Sequence, residues 1–226
     1  MAATIYKYLP ADIALRVLED SRIKISLLPE LNDVFDCSPT TTPPPEDPPH
    51  NPESLTQDFV KAHSEHFGLI CLSESLTSPL QWGHYSASGT GIAIGFSPKQ
   101  LKWGPPINIC YTRARPSIHW PPNRPRSQAD TDDMIFKAFG TKANEWAYEK
   151  EVRYIRPLHE CIPSSGMYFT GFDKAALTEV VLGYRCRVQT NYLRHLLKHI
   201  YGHGVVKLSK ASPHPMNFEI VVSNIN

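Results

Sequence analysis

The stretch GTGIAIGF, residues 89–96, places a short apolar run among glycines. Such a run with tight ends is typical of a buried strand, so a strand is predicted over Ile92–Phe96. A second strand is predicted over Glu151–Pro157, where the side chains of EVRYIRP alternate in character. If Glu151 begins that strand, Glu151 and Arg153 point to one face of it.

The remaining elements follow from the same periodicities. Leu193, Leu196, Leu197 and Ile200 fall at i, i+3, i+4 and i+7 and define the apolar face of a helix over 189–201. Further strands are predicted at 4–8, 22–28, 69–72, 180–182, 205–209 and 218–222. Further helices are predicted after Asp12 as a cap, over 53–66 and over 131–150.

Two proline-dense stretches are predicted to be loops, because proline cannot donate a hydrogen bond to a strand ladder. They are SPTTTPPPEDPPHNPES at about 38–54 and RARPSIHWPPNRPRSQ at 113–128. A length of 226 residues fits one domain with a sizeable core. We therefore expect residues 1–226 to form a single α+β domain with a central, mostly antiparallel mixed sheet flanked by helices.

The cysteine pattern and the chain start indicate a compartment. Five cysteines are odd in number and form no CxxC pair, which is typical of reduced thiols. The first residues carry no basic segment followed by an apolar one, and no stretch approaches the roughly 18 apolar residues of a membrane span. A cytoplasmic protein that does not insert in a membrane is predicted.

Charge is divided unevenly along the chain. Residues 1–112 hold 7 basic and 12 acidic residues, a net charge of −5, and residues 113–226 hold 16 and 10, a net charge of +6. A basic second half suits a phosphate-bearing partner, although ordinary surface charge explains it equally well.

Familiar cofactor and metal motifs are missing. The chain has no GxxxxGK[ST], and its glycines form no GxGxxG before a helix, so ATP hydrolysis and a Rossmann cofactor are not expected. Histidines recur at positions 63 and 66 and at 195, 199 and 203, but no carboxylate stands at ligand spacing, so solvated histidines and no metal are predicted.

Three clusters carry polar residues where simple patterning would place apolar ones. The first is LNDVFDC at 31–37, whose Asp33 and Asp36 either cap turns or bind a cationic group. The third is WAYEKEVRY at 146–154, in which Glu151 either pairs with Arg153 or acts as a base near a pocket.

The second cluster joins CLSE at 71–74 to QWGHYSASGTGIAIGF at 81–96. Trp82, His84 and Tyr85 would bring an aromatic ring, a group titrating near neutrality and a phenol to one cavity, unless they simply pack in the core. Cys37 or Ser73 could meet His84 in space as a nucleophile.

Together, IYKY at 5–8, these three clusters and VVLGYRCR at 180–187 resemble the DUF2971 family over nearly the whole chain. The family name implies no reaction. Two more distant resemblances imply different ones.

The opening order of strand, helix and strand, with a late glutamate beginning a strand, is similar to ADP-ribosyltransferases of the DarT type. That resemblance implies an ADP-ribosyltransferase-like fold with NAD as cofactor, bound by Lys7 or Tyr8, while Glu151 activates an acceptor on nucleic acid or protein. The usual first-strand histidine or arginine is absent.

The chain also resembles small fungal arginine-containing cyclodipeptide synthases, which take amino acids from charged tRNA and need no further cofactor. The acidic residues Asp33, Asp36, Glu149 and Glu151 could bind a guanidinium, and the basic loop and basic helix face could hold tRNA phosphates. Aminoacyl esters are already activated, so ATP motifs are unnecessary.

The leading hypothesis is an aminoacyl-tRNA-dependent transferase that releases an arginine-containing cyclic dipeptide. Its catalytic residues are predicted to be Glu151, His84, Tyr85 and Glu149. Its substrate-binding residues are predicted to be Lys7, Tyr8, Asn32, Asp33, Asp36, Cys37, Ser73, Trp82 and Arg153. Its nucleic-acid-binding residues are predicted to be Arg113, Arg115, Trp120, Arg124, Arg126, Arg194 and Lys198, with Tyr192 available for stacking.

Three points stay open at this stage. The alternatives to the leading hypothesis are an NAD-dependent ADP-ribosyltransferase and a non-catalytic module that binds RNA or protein. A transient aminoacyl group on Cys37 or Ser73 and direct attack are both allowed. The second amino acid and the oligomeric state are not predicted.

Overall fold

The computed structural model describes residues 3–43, 51–120 and 127–225. Five α-helices occur in these ranges: α1 (Ala11–Asp20), α2 (Pro52–Ser64), α3 (Pro79–Tyr85), α4 (Gln128–Phe139) and α5 (Thr190–Tyr201). The strands are β1 (Ile5–Leu9), β2 (Arg22–Leu27), β3 (Thr40–Thr42), β4 (Phe67–Ser73), β5 (Ile92–Phe96), β6 (Ile107–Asn108), β7 (Cys110–Thr112), β8 (Ser117–His119), β9 (Thr141–Ala143), β10 (Glu151–Pro157), β11 (Ile162–Ser164), β12 (Met167–Gly171), β13 (Leu177–Leu182), β14 (Lys207–Pro213) and β15 (Ile220–Asn224).

One large sheet organises the described part of the chain. Its strands run in the order β11-β12-β2-β4-β1-β5-β13-β14-β15, and β10, with β6 beside it, pairs along the whole of β4. Neighbours are antiparallel except for β13 and β14. The α+β class and the mostly antiparallel mixed sheet predicted from the sequence are thus confirmed.

The two faces of the sheet carry different chemistry because successive side chains of a strand alternate. Val152 and Tyr154 of β10 join the largest apolar core, which also takes the buried faces of α1 and α5. Glu151 and Arg153 point to the other face, as predicted. The candidate site lies on this second face, beside α3 and α4.

A gap opens in the ladder between β1 and β4. Tyr6 and Ser73 are the one residue pair that joins these strands, whereas β1 pairs with β5 over its full length. β2 pairs with β4 only at Gly68 and Leu69. The edge of β4 between these two contacts therefore faces open space.

Lys7 fills part of this gap with its side chain. Its Nζ donates a hydrogen bond to the carbonyl oxygen of Cys71 at 3.1 Å. A buried strand carbonyl needs a donor, and here a lysine supplies it in place of a strand. The gap consequently stays open enough to form a recess.

The predicted helix over 131–150 is wrong in its second half. Helix α4 ends at Phe139, and the N–H of Gly140 donates to the carbonyl of Phe136 at 2.8 Å. The chain then forms β9, parallel to β7, and a 3₁₀ helix over Asn144–Glu149. Pairing with a distant strand overrides the local helical pattern here.

The predicted cap at Asp12 is also wrong. The N-cap residue of α1 is Pro10, which forms no capping hydrogen bond through its side chain. Asp12 lies inside the first turn of the helix. An acidic residue in the first turn still stabilises the helix through its dipole.

The two predicted loops contain strands that pair with each other. β3, from the stretch at 38–54, runs parallel to β8, from the stretch at 113–128, with Thr41 opposite Ile118. Helix α2 begins at Pro52, inside the first stretch. Residues 44–50 and 121–126 of these stretches lie outside the described residues.

Candidate active site

A recess of about 220 Å³ occupies the gap between β1 and β4. The 3₁₀ helix over Asn144–Glu149, strand β9 and helix α3 bring further side chains to it. Its wall is formed by Tyr6, Lys7, Tyr8, Ser26, Glu30, Leu31, Asn32, Asp36, Cys71, Leu72, Gln81, Tyr85, Lys142, Glu149 and Glu151.

A buried ion-pair network forms the floor of the recess. Arg153, with a side chain that is 0% exposed, places Nε 2.6 Å from Glu151 Oε1 and Nη2 2.6 Å from Asp36 Oδ2. Its Nη1 donates to the carbonyl of Phe139 at 3.1 Å. The guanidinium is thereby fully engaged by the protein itself, and it joins acids from the 31–37 and 146–154 clusters.

Lys142 is the second cation of the network. Its Nζ lies 2.6 Å from Glu149 Oε2, 3.1 Å from Glu151 Oε2 and 3.6 Å from Asp36 Oδ2, and its side chain is 7% exposed. Burial acts to lower the pKa of Lys142, but the three carboxylates raise it well above its ordinary value. Lys142 is therefore a fixed positive charge.

The pKa values of Glu149 and Glu151 are shifted in opposite directions. Although burial acts to raise it, the pKa of Glu151 is held far below its ordinary range by Arg153 and Lys142. Burial raises the pKa of Glu149, and Lys142 and Tyr85 oppose only part of that shift. Of these two glutamates, Glu149 is consequently the one that takes up a proton first.

Charge counting shows an excess of negative charge in the network. Three carboxyl groups contact two cations, so one negative charge lacks a partner. Lys7 lies on the wall of the recess but within ion-pair distance of none of the three. A positively charged ligand would balance the excess and return Glu149 to its ionised form.

Tyr85 completes the constellation with a phenol. Its hydroxyl donates to Glu149 Oε1 at 2.5 Å. Burial, followed by this hydrogen bond, raises the pKa of Tyr85 well above its ordinary value, so the phenol stays protonated. The pair offers a carboxyl group that can accept a proton beside a hydroxyl that can donate one.

Gln81 adds an unsatisfied polar atom at the recess. Its side chain is 6% exposed, and its carbonyl oxygen is buried without a hydrogen-bond partner among the described residues. A buried acceptor without a donor costs about 1–3 kcal/mol. A donor on a bound molecule would remove that cost.

Seven of the predicted site residues come together in the recess: Lys7, Tyr8, Asn32, Asp36, Tyr85, Glu149 and Glu151. The Tyr8 hydroxyl donates to the carbonyl of Ser75 at 2.6 Å, so Tyr8 is held by the scaffold. Arg153 lies beneath the recess as the counter-ion of Asp36 and Glu151.

The expected place of His84 is wrong. His84 is exposed, does not line the recess, and lies with its ring centroid 6.2 Å from that of Tyr148. It sits on the last turn of α3, and the following residue, Tyr85, faces inward instead. Consecutive helical positions point about 100° apart, which explains why only one of the two reaches the recess.

Cys37 and Ser73 also lie outside the recess lining. Cys37 is 1% exposed, and burial raises the pKa of its thiol well above the usual value, which opposes a nucleophilic role. The Ser73 hydroxyl donates to the carbonyl of Glu149 at 2.5 Å. Both side chains hold the surrounding chain in place.

Trp82 and Asp33 have structural surroundings too. Trp82 is 0% exposed and packs edge-on against Tyr8 with ring centroids 4.9 Å apart. Asp33 accepts the N–H of Phe35 at 3.0 Å and borders a neighbouring cleft rather than the recess. The expectation that Asp33 faces the recess is therefore wrong.

The predicted nucleic-acid residues are spread over two faces. Arg113 and Arg115 line the neighbouring cleft, whereas Trp120 packs against Phe59 with ring centroids 5.3 Å apart. Arg124 and Arg126 lie outside the described residues.

The other predicted nucleic-acid residues belong to α5, which packs on the face of the sheet opposite the recess. They are Arg194, Lys198 and Tyr192. The Tyr192 hydroxyl donates to Glu19 at 3.3 Å. This distribution places α5 away from the carboxylates.

Sequence reasoning missed Lys142 and Gln81. Lys142 was missed because residues 131–150 were predicted to form one helix, whereas position 142 belongs to a short strand. The glycine at position 140 was the available signal for that break. For Gln81, a polar residue in the first turn of α3 carries no signal of burial.

One family model matches part of the chain. Residues 81–154 match DUF2971, described as a protein of unknown function. This DUF2971 region contains Gln81, Tyr85, Lys142, Glu149 and Glu151, and thus most of the polar recess. The resemblance expected from the motifs at 5–8, 31–37, 71–74 and 180–187 lies outside the match. No curated protein and no solved structure matched the chain.

Two features are absent from the described part of the chain. No group of three or more histidine, cysteine, aspartate or glutamate side chains is arranged there to hold a metal ion. Among the same residues, none of the helices combines the length and apolar character needed to cross a bilayer.

Proposed function

We propose that the recess is the active site of an aminoacyl-tRNA-dependent transferase that releases an arginine-containing cyclic dipeptide. The observation that carries the proposal is the Glu149 carboxyl with raised pKa, held between the Tyr85 hydroxyl at 2.5 Å and the Lys142 ammonium at 2.6 Å. Such a group suits the step in which an ammonium must lose a proton before it can attack an ester.

The size and charge of the recess support an amino-acid-sized cation. About 220 Å³ lies below the 300–1,000 Å³ that is usual for drug-sized ligands. The unbalanced carboxyl and the unpaired oxygen of Gln81 favour a ligand with several N–H donors. An α-ammonium and an arginine side chain both meet that requirement.

The chemistry consists of two aminolysis steps. The α-amine of one aminoacyl group attacks the ester carbonyl of the other, the amide bond forms, and the bond to the ribose oxygen breaks. The amine of the resulting dipeptidyl ester then attacks its own ester carbonyl, which closes the six-membered ring and releases the second ribose oxygen. In each step Glu149 accepts the proton of the amine, and the ribose oxygen takes a proton from Tyr85 or water, which Glu149 then reprotonates, so that both groups are restored for the next step.

The roles of the acids change relative to the sequence-based hypothesis. Glu151 and Asp36 are occupied by Arg153, so they are assigned to holding Lys142 and the floor of the recess. Glu149, which was predicted to be catalytic together with Glu151, His84 and Tyr85, is assigned the role of proton acceptor. Direct attack is favoured over an aminoacyl enzyme, because Cys37 and Ser73 do not face the recess.

The test is to incubate the full chain with arginyl-tRNA and a mixture of other aminoacyl-tRNAs and to analyse small products by mass. A cyclic dipeptide that contains arginine, and that disappears after RNase treatment, is the expected result. Release of nicotinamide from added NAD would favour an ADP-ribosyltransferase instead. If neither a cyclic dipeptide nor nicotinamide is formed, catalysis is rejected and a module that binds RNA or protein is favoured. Charged tRNA is a cytosolic substrate, so a cytoplasmic location belongs to the same proposal.

A further inference from the structure

A larger cleft adjoins the recess and shares Lys142 with it. The cleft measures about 520 Å³, within the range of sites for nucleotide-sized ligands. Its floor is the small sheet of β7 and β9, and one side is the C-terminal part of α4. The cleft and the recess are therefore neighbours at Lys142.

Two arginines of the cleft form no ion pair among the described residues, although Asp33 and Glu145 also line it. Arg113 is exposed, and neither it nor Arg115 forms an ion pair with a described carboxylate. Arg115 is held in place because its Nε and Nη2 donate to the carbonyl of Ser38 at 3.0 and 2.5 Å, and Nη2 also donates to the Ser38 hydroxyl at 3.0 Å. Its Nη1 remains for a ligand. Guanidinium groups presented in this way suit phosphate oxygens.

Two aromatic rings flank the same space. Phe35 is 57% exposed, with the Arg115 guanidinium carbon 5.4 Å from its ring centroid. Trp146 lies with its ring centroid 4.8 Å from the Lys142 Nζ. An exposed aromatic side chain next to phosphate-binding cations is the arrangement that stacks an unpaired base.

We infer that this cleft binds the 3′-terminal nucleotides of a single-stranded RNA end, with Trp146 stacking the terminal base and Arg113 and Arg115 contacting phosphates. The choice of RNA rests on the proposed function, because the aminoacyl ester is carried by the terminal ribose. The ribose lies at Lys142, and the ester projects into the recess.

The charges of the recess predict which kind of RNA end it accepts. Beyond Lys142 the recess holds three carboxyl groups, Asp36, Glu149 and Glu151. A terminal phosphate pushed toward them would be repelled, whereas a free hydroxyl or an aminoacyl group would not. The cleft should therefore distinguish a 3′-hydroxyl end from a 3′-phosphate end.

The experiment measures binding of the 5′-labelled ribonucleotide ACCA to the full chain by fluorescence anisotropy at low salt. Saturable binding is expected, with a several-fold loss for a 3′-phosphorylated strand and about a tenfold loss for a strand that lacks the terminal base. Arg113→Ala should weaken binding and reduce the salt slope by about one phosphate contact. Trp146→Leu should weaken it about tenfold, and Trp146→Phe should restore most of it.

The matched control is Arg16→Ala, because Arg16 is exposed on α1 at the opposite face of the sheet. It should bind like the wild type. The inference is overturned if the wild type shows no saturable binding, if the Arg113 and Trp146 variants bind like the control, or if the terminal base makes no difference. Because the probe carries no amino acid, binding of the probe without any dipeptide product would reject only the proposed function. Product formation without binding of this probe would reject only the cleft.

Discussion

Arg153 binds the carboxylate of Glu151 at two points, with Nε 2.6 Å from Oε1 and Nη2 3.0 Å from Oε2. Residues two apart on one strand share a face, so this contact is local in sequence and yet wholly buried. Asp36, from a distant turn, closes the same guanidinium from the other side. The pair is thus the structural anchor on which the recess is built.

Arg153→Met is expected to destabilise the fold by about 3–5 kcal/mol, because it leaves Glu151 and Asp36 buried with too little positive charge. Urea unfolding at neutral pH measures this. Lys137→Met is the control, since its ion pair with Asp133 is solvent-exposed and should contribute no more than about 1 kcal/mol. Equal midpoints for the two variants would contradict a structural anchor at Arg153.

Glu149 and Glu151 should affect stability oppositely as pH changes. The pKa of Glu151 is lowered on folding, so its contribution is present above about pH 4.3, the unfolded pKa, and is lost as pH falls below it. The pKa of Glu149 is raised, so the stability gained from its bound proton is lost as pH rises through its folded pKa.

Comparing the wild type with Glu149→Gln isolates the second effect. The free energy of unfolding of the wild type, relative to that of the variant, should fall as pH rises from about 4. Urea unfolding at a series of pH values up to 8 gives both curves. Two parallel curves would show that Glu149 titrates alike in the folded and unfolded chain.

Glu149→Gln should lower dipeptide formation by about two to three orders of magnitude, because an amide cannot accept the proton of the amine. Tyr85→Phe should lower it less, since water can replace the phenol as proton donor. Initial rates of product formation by mass measure both.

Two controls test the assignment of these roles. Glu65→Gln, an exposed acid at the end of α2, should leave the rate unchanged. His84→Ala should also leave it unchanged, because the imidazole does not line the recess. A large loss for His84→Ala, with Glu149→Gln still active, would reassign the proton acceptor.

Cysteine alkylation should follow burial rather than position in the chain. Cys110 is exposed and should react first with iodoacetamide at neutral pH. Burial raises the pKa of Cys71 to about 12 and that of Cys37 well above its usual value, so both should react slowly until the protein is unfolded. Peptide mapping by mass gives the order, and early labelling of Cys37 would contradict the packing around Arg153.

Local periodicity was enough to predict much of this architecture. The alternation of Glu151 and Arg153 and the apolar face at Leu193 and Leu197 each depend on neighbours within a few residues, and both are confirmed. The helix over Thr190–Tyr201 begins within one residue of its predicted start.

The convergence of the site depended on contacts distant in sequence. Asp36 meets Arg153 across more than a hundred residues, and no periodicity reports such a meeting. Lys142 enters the recess only because β9 pairs with β7, which a helical pattern conceals. His84 and Tyr85 are adjacent in sequence, and only the exact rotation of α3 decides which one faces inward.

The lysine at position 7 limits what the chain tolerates there. A methionine would fit the same partly buried space, but it has no hydrogen-bond donor. The carbonyl oxygen of Cys71 would then lose the hydrogen bond that Lys7 provides. An arginine would keep a donor while placing a larger planar group across the mouth of the recess. Sequence drift at this position is consequently restricted by a backbone atom of another strand, even though the side chain looks replaceable from outside.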